Sequence, residues 1–256
     1  MRSVPRLVTI AAALSLVAAS IDTQAQSVVL PLPPADEQAL TGYLGAGVVG
    51  AARPSEPILD ALAYFPLQER VFLFQITAGS HAGNIQSLSL KKSRRPTGAP
   101  AWRFALSPTL AGFVNTESGD ILMPSVSDSD EGVVVITTPA NPFVLKGIKP
   151  GESRAFSQTV AVNYLDDPYR RDYSGQLTGA YTYVGTYQLT VPAGTYDAIL
   201  VRLDYQGKIG PAHVKDTSWY FFSRGVGVVA MINHEDISAF WIYNVHTTTG
   251  KVLANR

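Results

Sequence analysis

The sequence predicts an all-β protein, in which an antiparallel curved sheet forms a sandwich or a flattened barrel, with one short N-terminal helix. Apolar and polar residues alternate over long segments, and this is the side-chain period of a strand. Turn residues separate these segments, since Gly and Pro contribute 21 and 17 of the 256 residues. Only 16% of the residues are charged, against ~25% in an average globular chain. Together these features favour a β-rich globular protein.

The first segment, residues 1–25, is predicted to be a secretory signal peptide. Arg2 and Arg6 give it a basic start, and Leu7 to Ala19 is apolar and uncharged. Thr23-Gln24-Ala25 places small residues where a signal peptidase cleaves. The apolar run is shorter than the ~20 residues that span a bilayer. We therefore expect cleavage rather than a membrane anchor, and a location in the periplasm or outside the cell.

Residues 26–69 are predicted to form an extended leader and the short helix. Three prolines between residues 31 and 34 favour extended backbone. The helix is predicted over Ala35 to Leu44, with Asp36 near its start, where a negative charge is favourable. The glycines from Gly42 to Gly50 discourage its continuation.

Residues 70–256 are predicted to form the β domain, with a possible sub-division near residues 139–151, where prolines and glycines cluster. Many strands separated by turn signals are typical of an antiparallel sandwich or barrel. The predicted strands are Val71–Thr77, Ile85–Leu90, Trp102–Leu106, Val133–Thr138, Phe143–Leu145, Ser157–Tyr164, Thr178–Val191, Thr195–Tyr205, Thr217–Phe222, Gly227–Asn233 and Ile237–His246. The residues predicted for the core are Tyr183, Leu189, Ile199, Val201, Trp219, Val228 and Trp241.

The clearest element is a hairpin between the two alternating segments 178–191 and 195–205. Pro192 presets its backbone for a turn, and Gly194 tolerates a positive φ. The sequence therefore predicts a loop of the three-residue type with a bulge at Gly194.

Several turn and strand motifs follow one another in a fixed order. They are Leu145-Lys146-Gly147-Ile148-Lys149-Pro150-Gly151-Glu152, Tyr183-Val184-Gly185, Val191-Pro192-Ala193-Gly194-Thr195-Tyr196-Asp197-Ala198, and Trp219-Tyr220 with Gly225-Val226-Gly227-Val228-Val229. In this order they resemble a loose group of exported bacterial proteins of unknown function, the DUF3108-like kind, which have a PAGTY-type hairpin followed by a WY…GVGVV strand pair. The resemblance covers residues 145 to 245 and departs from the group at Ser223-Arg224. It implies a curved antiparallel sheet and an envelope location, and it assigns no catalytic residues.

Composition and motifs argue against several classes of function. The chain has no cysteine, which excludes thiol catalysis, disulfides and a lipid attached to cysteine. Its 20 basic and 20 acidic residues cancel, so it lacks the basic field that a nucleic-acid partner requires. The glycine motif at residues 45–50 is followed by Pro54 rather than a long helix, which argues against a dinucleotide cofactor. No later apolar run is long enough to predict a transmembrane segment.

We assign no catalytic residue, no metal ligand and no cofactor from the sequence. His234-Glu235-Asp236 is interpreted as a polar hairpin loop, although a metal site built from His213, His234 and Asp236 stays open as an alternative. The acidic stretch from Asp128 to Gly132 is interpreted as a turn, because its glycine comes too early for a calcium loop.

The candidate ligand-binding residues are Tyr181, Tyr183 and Tyr187, which share one side of a predicted strand. Amphipathic rings suit a groove for an apolar or sugar ligand, although core packing also explains them. We therefore expect an exported, non-catalytic β protein that binds an apolar or amphipathic envelope molecule, with a lipid or a glycan as ligand, or that serves as an envelope structural part. The alternatives are a carboxylate- or metal-dependent periplasmic hydrolase and a subunit with an envelope protein partner.

Overall fold

The computed structural model describes residues 27–239 and 243–255. Within these ranges the chain forms fourteen strands and two helices. Their bounds are β1 Val28–Val29, α1 Pro34–Leu44, β2 Val49–Ser55, α2 Ala61–Tyr64, β3 Arg70–Ala78, β4 Ile85–Arg94, β5 Pro100–Ala105, β6 Leu110–Glu117, β7 Asp120–Asp128, β8 Val133–Val144, β9 Ser153–Tyr164, β10 Arg171–Val191, β11 Gly194–Ile209, β12 Ala212–Ser223, β13 Gly227–Ala239 and β14 Tyr243–Asn255.

Twelve of the described strands close into an antiparallel barrel. Each strand from β3 to β14 pairs with the next one along the chain, and β14 pairs back with β3. The all-β class with a flattened barrel and a short helix is thereby confirmed. Residues 139–151, predicted as a possible boundary, comprise the last part of β8 and most of the connection to β9, and these two strands pair with each other. The predicted signal peptide lies outside the described residues.

Helix α1 confirms the predicted helix and packs against β3, β13 and β14. Its Leu40 and Leu44 are buried, and so is the carboxylate of Asp36. Arg202 Nη1 on β11 donates to both oxygens of Asp36, at 2.9 and 3.0 Å. Trp219 Nε1 on β12 donates to the same carboxylate at 2.8 Å. The helix is therefore held to the sheet by a buried ion pair as well as by apolar packing.

Helix α2 and four strands were not predicted. Helix α2 is a single turn, in which Asp60 Oδ1 accepts a hydrogen bond from Leu62 N at 3.0 Å. Strands β1 and β2 lie in the segment that was interpreted as a leader and helix. Strands β6 and β7 contain Gly112, Pro124 and two serines, which disrupt the apolar alternation that a sequence pattern needs.

The predicted hairpin is present as β10 and β11, but its turn differs from the prediction. Val191 pairs directly with Gly194, so the turn has two residues and no bulge lies at Gly194. The irregularity lies instead between Tyr183 and Gly185. There β10 changes its second partner: it pairs with β9 up to Thr182 and with β2 from Thr186 onward. An extra residue bends a strand, which suits a point where the neighbouring strand is exchanged.

The predicted loop at His234-Glu235-Asp236 is wrong, because these residues lie inside β13. Strand β13 stays paired with β12 as far as Ala239 opposite Ala212. The two strands have matching lengths, so the ladder continues through the polar residues. The predicted strand 237–246 is divided between the end of β13 and the start of β14, and residues 240–242 lie outside the described ranges.

The core lies inside the barrel and beneath α1. Six of the predicted core residues are at most 8% exposed, and Trp241 lies outside the described ranges. The six are Tyr183, Leu189, Ile199, Val201, Trp219 and Val228. Phe143 and Phe222 stand at the centre of an aromatic cluster, with ring centroids 5.2 Å apart.

Strands β9, β10 and β11 approach one another closely at Gly179 on β10. Gly179 pairs with Tyr205 on β11, and the Phe156 ring of β9 covers it. A Cβ atom at Gly179 would overlap the carbonyl oxygen of Asp204 and lie 2.7 Å from the Phe156 ring. The rings of Phe156 and Tyr205 meet edge to face over this position, at 5.7 Å. Only glycine allows this approach of the strands.

Candidate functional site

The three tyrosines predicted as ligand contacts lie in the packed core and are fully buried. Tyr181 OH donates to Phe143 O at 3.4 Å, Tyr183 OH bonds Thr186 Oγ1 at 3.0 Å, and Tyr187 OH donates to Pro31 O at 3.4 Å. Burial raises the pKa of Tyr183 and of Tyr187 to about 12 and raises that of Tyr181 further. Their role in ligand binding stays a prediction, and none of the three lines the cavity described next.

A cavity of about 380 Å³ lies in the barrel, away from these three tyrosines. Its rim includes the turn between β7 and β8, where Glu131 is exposed, and its lining reaches Tyr220 of the aromatic cluster. It is lined by Leu106, Leu110, Met123, Ser125, Val126, Asp128, Glu131, Val133, Val135, Thr137, Asn141, Gln158, Val160, Leu177, Tyr205, Ile209, Val214, Asp216, Ser218, Tyr220, Asn233 and Glu235. Its volume lies at the lower end of the ~300–1,000 Å³ that small-molecule sites occupy.

One wall of the cavity is apolar. Val160, Leu177 and Val214 form a small buried cluster that is separate from the main core. Val135 and Ile209 pack against this cluster and also line the cavity. The cavity therefore divides the interior of the barrel into two apolar regions.

Tyr205 and Tyr220 close the deep end. Tyr220 stacks on Phe222 at 5.9 Å, and its hydroxyl donates to Asn233 Oδ1 at 3.1 Å. The hydroxyl of Tyr205 accepts from Asn141 Nδ2 at 2.5 Å. Burial raises the pKa of Tyr220 to about 12 and also raises that of Tyr205. Both hydroxyls are therefore neutral hydrogen-bonding groups at physiological pH.

Four lining residues carry buried oxygens that find no hydrogen-bond partner in the described part of the chain. These atoms are Ser125 Oγ, Thr137 Oγ1, Asn141 Oδ1 and Gln158 Oε1. The side chains of Ser125 and Gln158 are the most enclosed of the four, since these residues are only 3% and 4% exposed. A buried polar atom without a partner costs free energy. A concentration of such atoms at one cavity is typical of a site that hydrogen-bonds a ligand.

Two carboxylates, Asp216 and Glu235, stand side by side on the polar wall. They are directly opposite each other on β12 and β13, and both line the cavity. Asp216 Oδ1 accepts from the backbone N–H of Asp236 at 3.2 Å. Burial raises the pKa of Asp216 to about 7; the Asp236 N–H opposes this rise, and the negative charges of Glu235 and Asp236 add to it by smaller amounts.

The charged residues that line the cavity are all acidic among those that the structure describes. Asp128 and Glu131 are at the rim, and the other two are Asp216 and Glu235. The nearest buried cation is Lys251, which donates to the carbonyl oxygen of Leu106 at the edge of the cavity. Lys251 is not a lining residue, and burial lowers its pKa to about 8.

Strand β12 carries a sequence signal for this site. The inward positions of β12 read Val214, Asp216, Ser218 and Tyr220. On this inward face the polar Asp216 and Ser218 lie between Val214 and Tyr220, which indicates a strand that faces a wet interior.

Other candidates from the sequence do not assemble into sites. No group of three or more metal-ligating side chains is placed to hold a metal ion in the described ranges. Asp236, one member of the suggested metal site, instead pairs with the exposed His246, at 3.1 Å between Oδ1 and Nδ1. Asp128 does form the predicted acidic turn, since its Oδ1 accepts from Asp130 N at 2.9 Å. Over residues 27–239 and 243–255, no helix has the length and apolar character needed to cross a bilayer.

The known proteins that resemble this chain are solved structures of low sequence identity. No family model matches the chain, and no curated protein matches it. One similar solved structure is a candidate exported protein with a YmcC-like fold from Bacteroides fragilis, at 15% identity, 75% coverage of this chain, 97% coverage of that chain and a TM-score of 0.43. Another is a candidate lipoprotein from Parabacteroides distasonis, at 14% identity, the same two coverages and a TM-score of 0.35. The DUF3108-like resemblance stays a prediction.

Proposed function

We propose that this protein is an exported, non-catalytic binding protein that holds a small amphipathic molecule in the cavity of its barrel. The observation that carries the proposal is the convergence of four unpartnered oxygens on one cavity with an apolar wall. The exported location is supported by the basic start, short apolar run and small cleavage residues of the N-terminal segment.

The energetics favour binding over a purely structural role. Each buried oxygen that loses its water without gaining a partner costs roughly 1–3 kcal/mol. A structural barrel gains stability if such residues are replaced by apolar ones of similar shape. The same oxygens contribute to affinity when a ligand donates hydrogen bonds to them. Gln158 and Thr137 therefore make physical sense as ligand contacts.

The test is a cavity-filling substitution with a matched control on the same strand. Val135 lines the cavity, whereas its neighbour Ile136 lies on the opposite face of β8 and is not a lining residue of this cavity. Val135→Phe is expected to weaken binding of octanol, octylamine and octanoate by about tenfold or more, because the larger ring occupies the ligand volume. Ile136→Phe is expected to leave binding unchanged. Isothermal titration calorimetry below micelle-forming concentrations measures both.

Thermal unfolding provides the control for this experiment. Val135→Phe has to retain a melting temperature close to that of the unsubstituted protein, since otherwise lost binding reports lost folding. If none of the three octyl compounds binds to the unsubstituted protein, or if Val135→Phe binds them equally well, the proposal is wrong. A structural part or a subunit of an envelope complex then replaces it.

A second candidate function, a carboxylate-dependent hydrolase, is favoured by the Asp216–Glu235 pair. Two neighbouring carboxyl groups, one of which has its pKa raised by burial as Asp216 does, are the usual basis of acid–base hydrolysis. Asp216→Asn and Glu235→Gln are then each expected to reduce turnover of p-nitrophenyl glycosides or esters by about a hundredfold or more. Absence of turnover by the unsubstituted protein argues for binding alone.

A further inference from the structure

We infer that the ligand of the cavity carries a cationic head, an ammonium group on an aliphatic tail, which Asp216 and Glu235 hold. This inference rests on the proposed function and adds the chemical class of the ligand to it. It depends on the sign of the charges at the cavity and on the kind of hydrogen-bonding atoms that lack partners there.

The carboxylate pair on β12 and β13 is the first reason for assigning a cationic head. Asp216 and Glu235 are cross-strand neighbours on one face of the sheet. Like charges directly opposite each other destabilise an antiparallel pair. The described residues supply no salt-bridge partner to either carboxylate within 4.0 Å. A ligand cation placed between the two relieves this repulsion.

The unpartnered side-chain oxygens at the cavity are the second reason. Gln158 is 96% enclosed by the fold, lines the cavity and has no partner for Oε1 within the described ranges. Amide carbonyl oxygens accept hydrogen bonds and cannot donate them, and the same is true of ionised carboxylates. Asn141 Oδ1 adds a second acceptor of this kind. These groups complement a head that only donates, and an alkylammonium has three N–H donors.

The third reason is that acidic side chains stand on the path into the cavity. Asp128 and Glu131 stand at the rim, so the approach is also negative. Acidic clefts raise the local concentration of cations and accelerate their association. Lys251 lies behind the carbonyl of Leu106 and is not part of the lining. The tail of the ligand then contacts the apolar wall formed by Val135, Leu177 and Val214.

The test uses three ligands with the same tail and different heads, octylamine, octanol and octanoate, on the unsubstituted protein. Octylamine is expected to bind about tenfold or more tightly than octanol, since a charge-assisted hydrogen bond contributes more than a neutral one. Octanoate is expected to bind most weakly. Glu235→Gln and Asp216→Asn should each reduce octylamine affinity by about tenfold while octanol binding stays within about twofold.

The pH dependence gives an independent readout. The titratable groups that face Asp216 are Tyr205 on β11 and Glu235 and Asp236 on β13. Octylamine stays protonated near neutral pH, as lysine does, whereas Asp216 gains its charge as the pH rises through its pKa of about 7. Octylamine binding should therefore tighten by about tenfold or more between about pH 5.5 and about pH 8.5. Asp216→Asn should lose this dependence, and octanol should show none.

The outcomes separate this inference from the proposed function. If octanol or octanoate binds as tightly as octylamine, and Val135→Phe still abolishes binding, the cavity is a binding site but the cationic head is wrong. Preferred binding of octanoate would assign the head to Lys251 instead. If no octyl compound binds, the proposed function fails together with this inference.

Discussion

Replacement of Asp36 by alanine is expected to lower the free energy of unfolding by about 3–5 kcal/mol, because it leaves a partly buried arginine without its main partner. Asp36 is 1% exposed and accepts three hydrogen bonds, two from Arg202 and one from Trp219. Arg202 keeps a bond to Asp204 at 2.9 Å, so a value toward the lower end is expected. Urea unfolding followed by tryptophan fluorescence measures the change.

The matched control is Glu37→Ala in the same helical turn. Glu37 is exposed and carries the same charge near the start of α1. Its loss is expected to cost less than about 1 kcal/mol, the contribution of a charge to the helix dipole. A double substitution, Asp36→Leu with Arg202→Met, is expected to recover much of the loss, because apolar residues often replace a buried ion pair without cost. Equal effects of Asp36→Ala and Glu37→Ala would show that the ion pair does not anchor the helix.

Substitution of Gly179 by alanine is expected to destabilise the protein by about 2 kcal/mol or more, since one added methyl group has to push strands apart. The new Cβ meets the carbonyl oxygen of Asp204 on one side and the Phe156 ring on the other. Backbone atoms of a paired strand cannot move aside as a flexible side chain does. Thermal unfolding is the measurement.

Gly42→Ala provides the opposite expectation with the same chemical change. Gly42 lies within α1. Apart from its two chain neighbours and the nearby backbone of its own helix, no atom lies within 4 Å of the position of an added Cβ. Alanine there is expected to stabilise the protein by up to about 1 kcal/mol, because it favours helix more than glycine does. Destabilisation by both substitutions, to a similar degree, would contradict the close approach of the strands at Gly179.

The fold class and the main hairpin could be predicted because their signals are local. Alternation over residues 178–205 is read from neighbouring positions and needs no knowledge of the rest of the chain. Strands β6 and β7 were missed because Gly112 and Pro124 remove the same local signal. The turn at Pro192 was placed correctly but its register was not, since the exchange of β9 for β2 along β10 decides where the extra residue lies.

The cavity could not be predicted because its parts are distant in sequence. Gln158 and Leu177 are paired on β9 and β10, and Asp216 and Glu235 are paired on β12 and β13. The two pairs line one cavity only because the sheet closes into a barrel. Each of these polar residues, considered alone, is typical of a solvent-exposed face. The aromatic face of β10 had a stronger local signal, but the structure places Tyr181, Tyr183 and Tyr187 in the packed core.

Closure of the barrel between β3 and β14 has a consequence for the order in which the chain can fold. Strand β3 completes its pairing only with β14, so no ring exists until β14 has been synthesised. The contact between Ser55 and Thr186 spans 131 residues, and that between Asp36 and Arg202 spans 166. Contacts of such long sequence separation slow folding. Residues 28–55 therefore gain these contacts only after β10 and β11 have been synthesised.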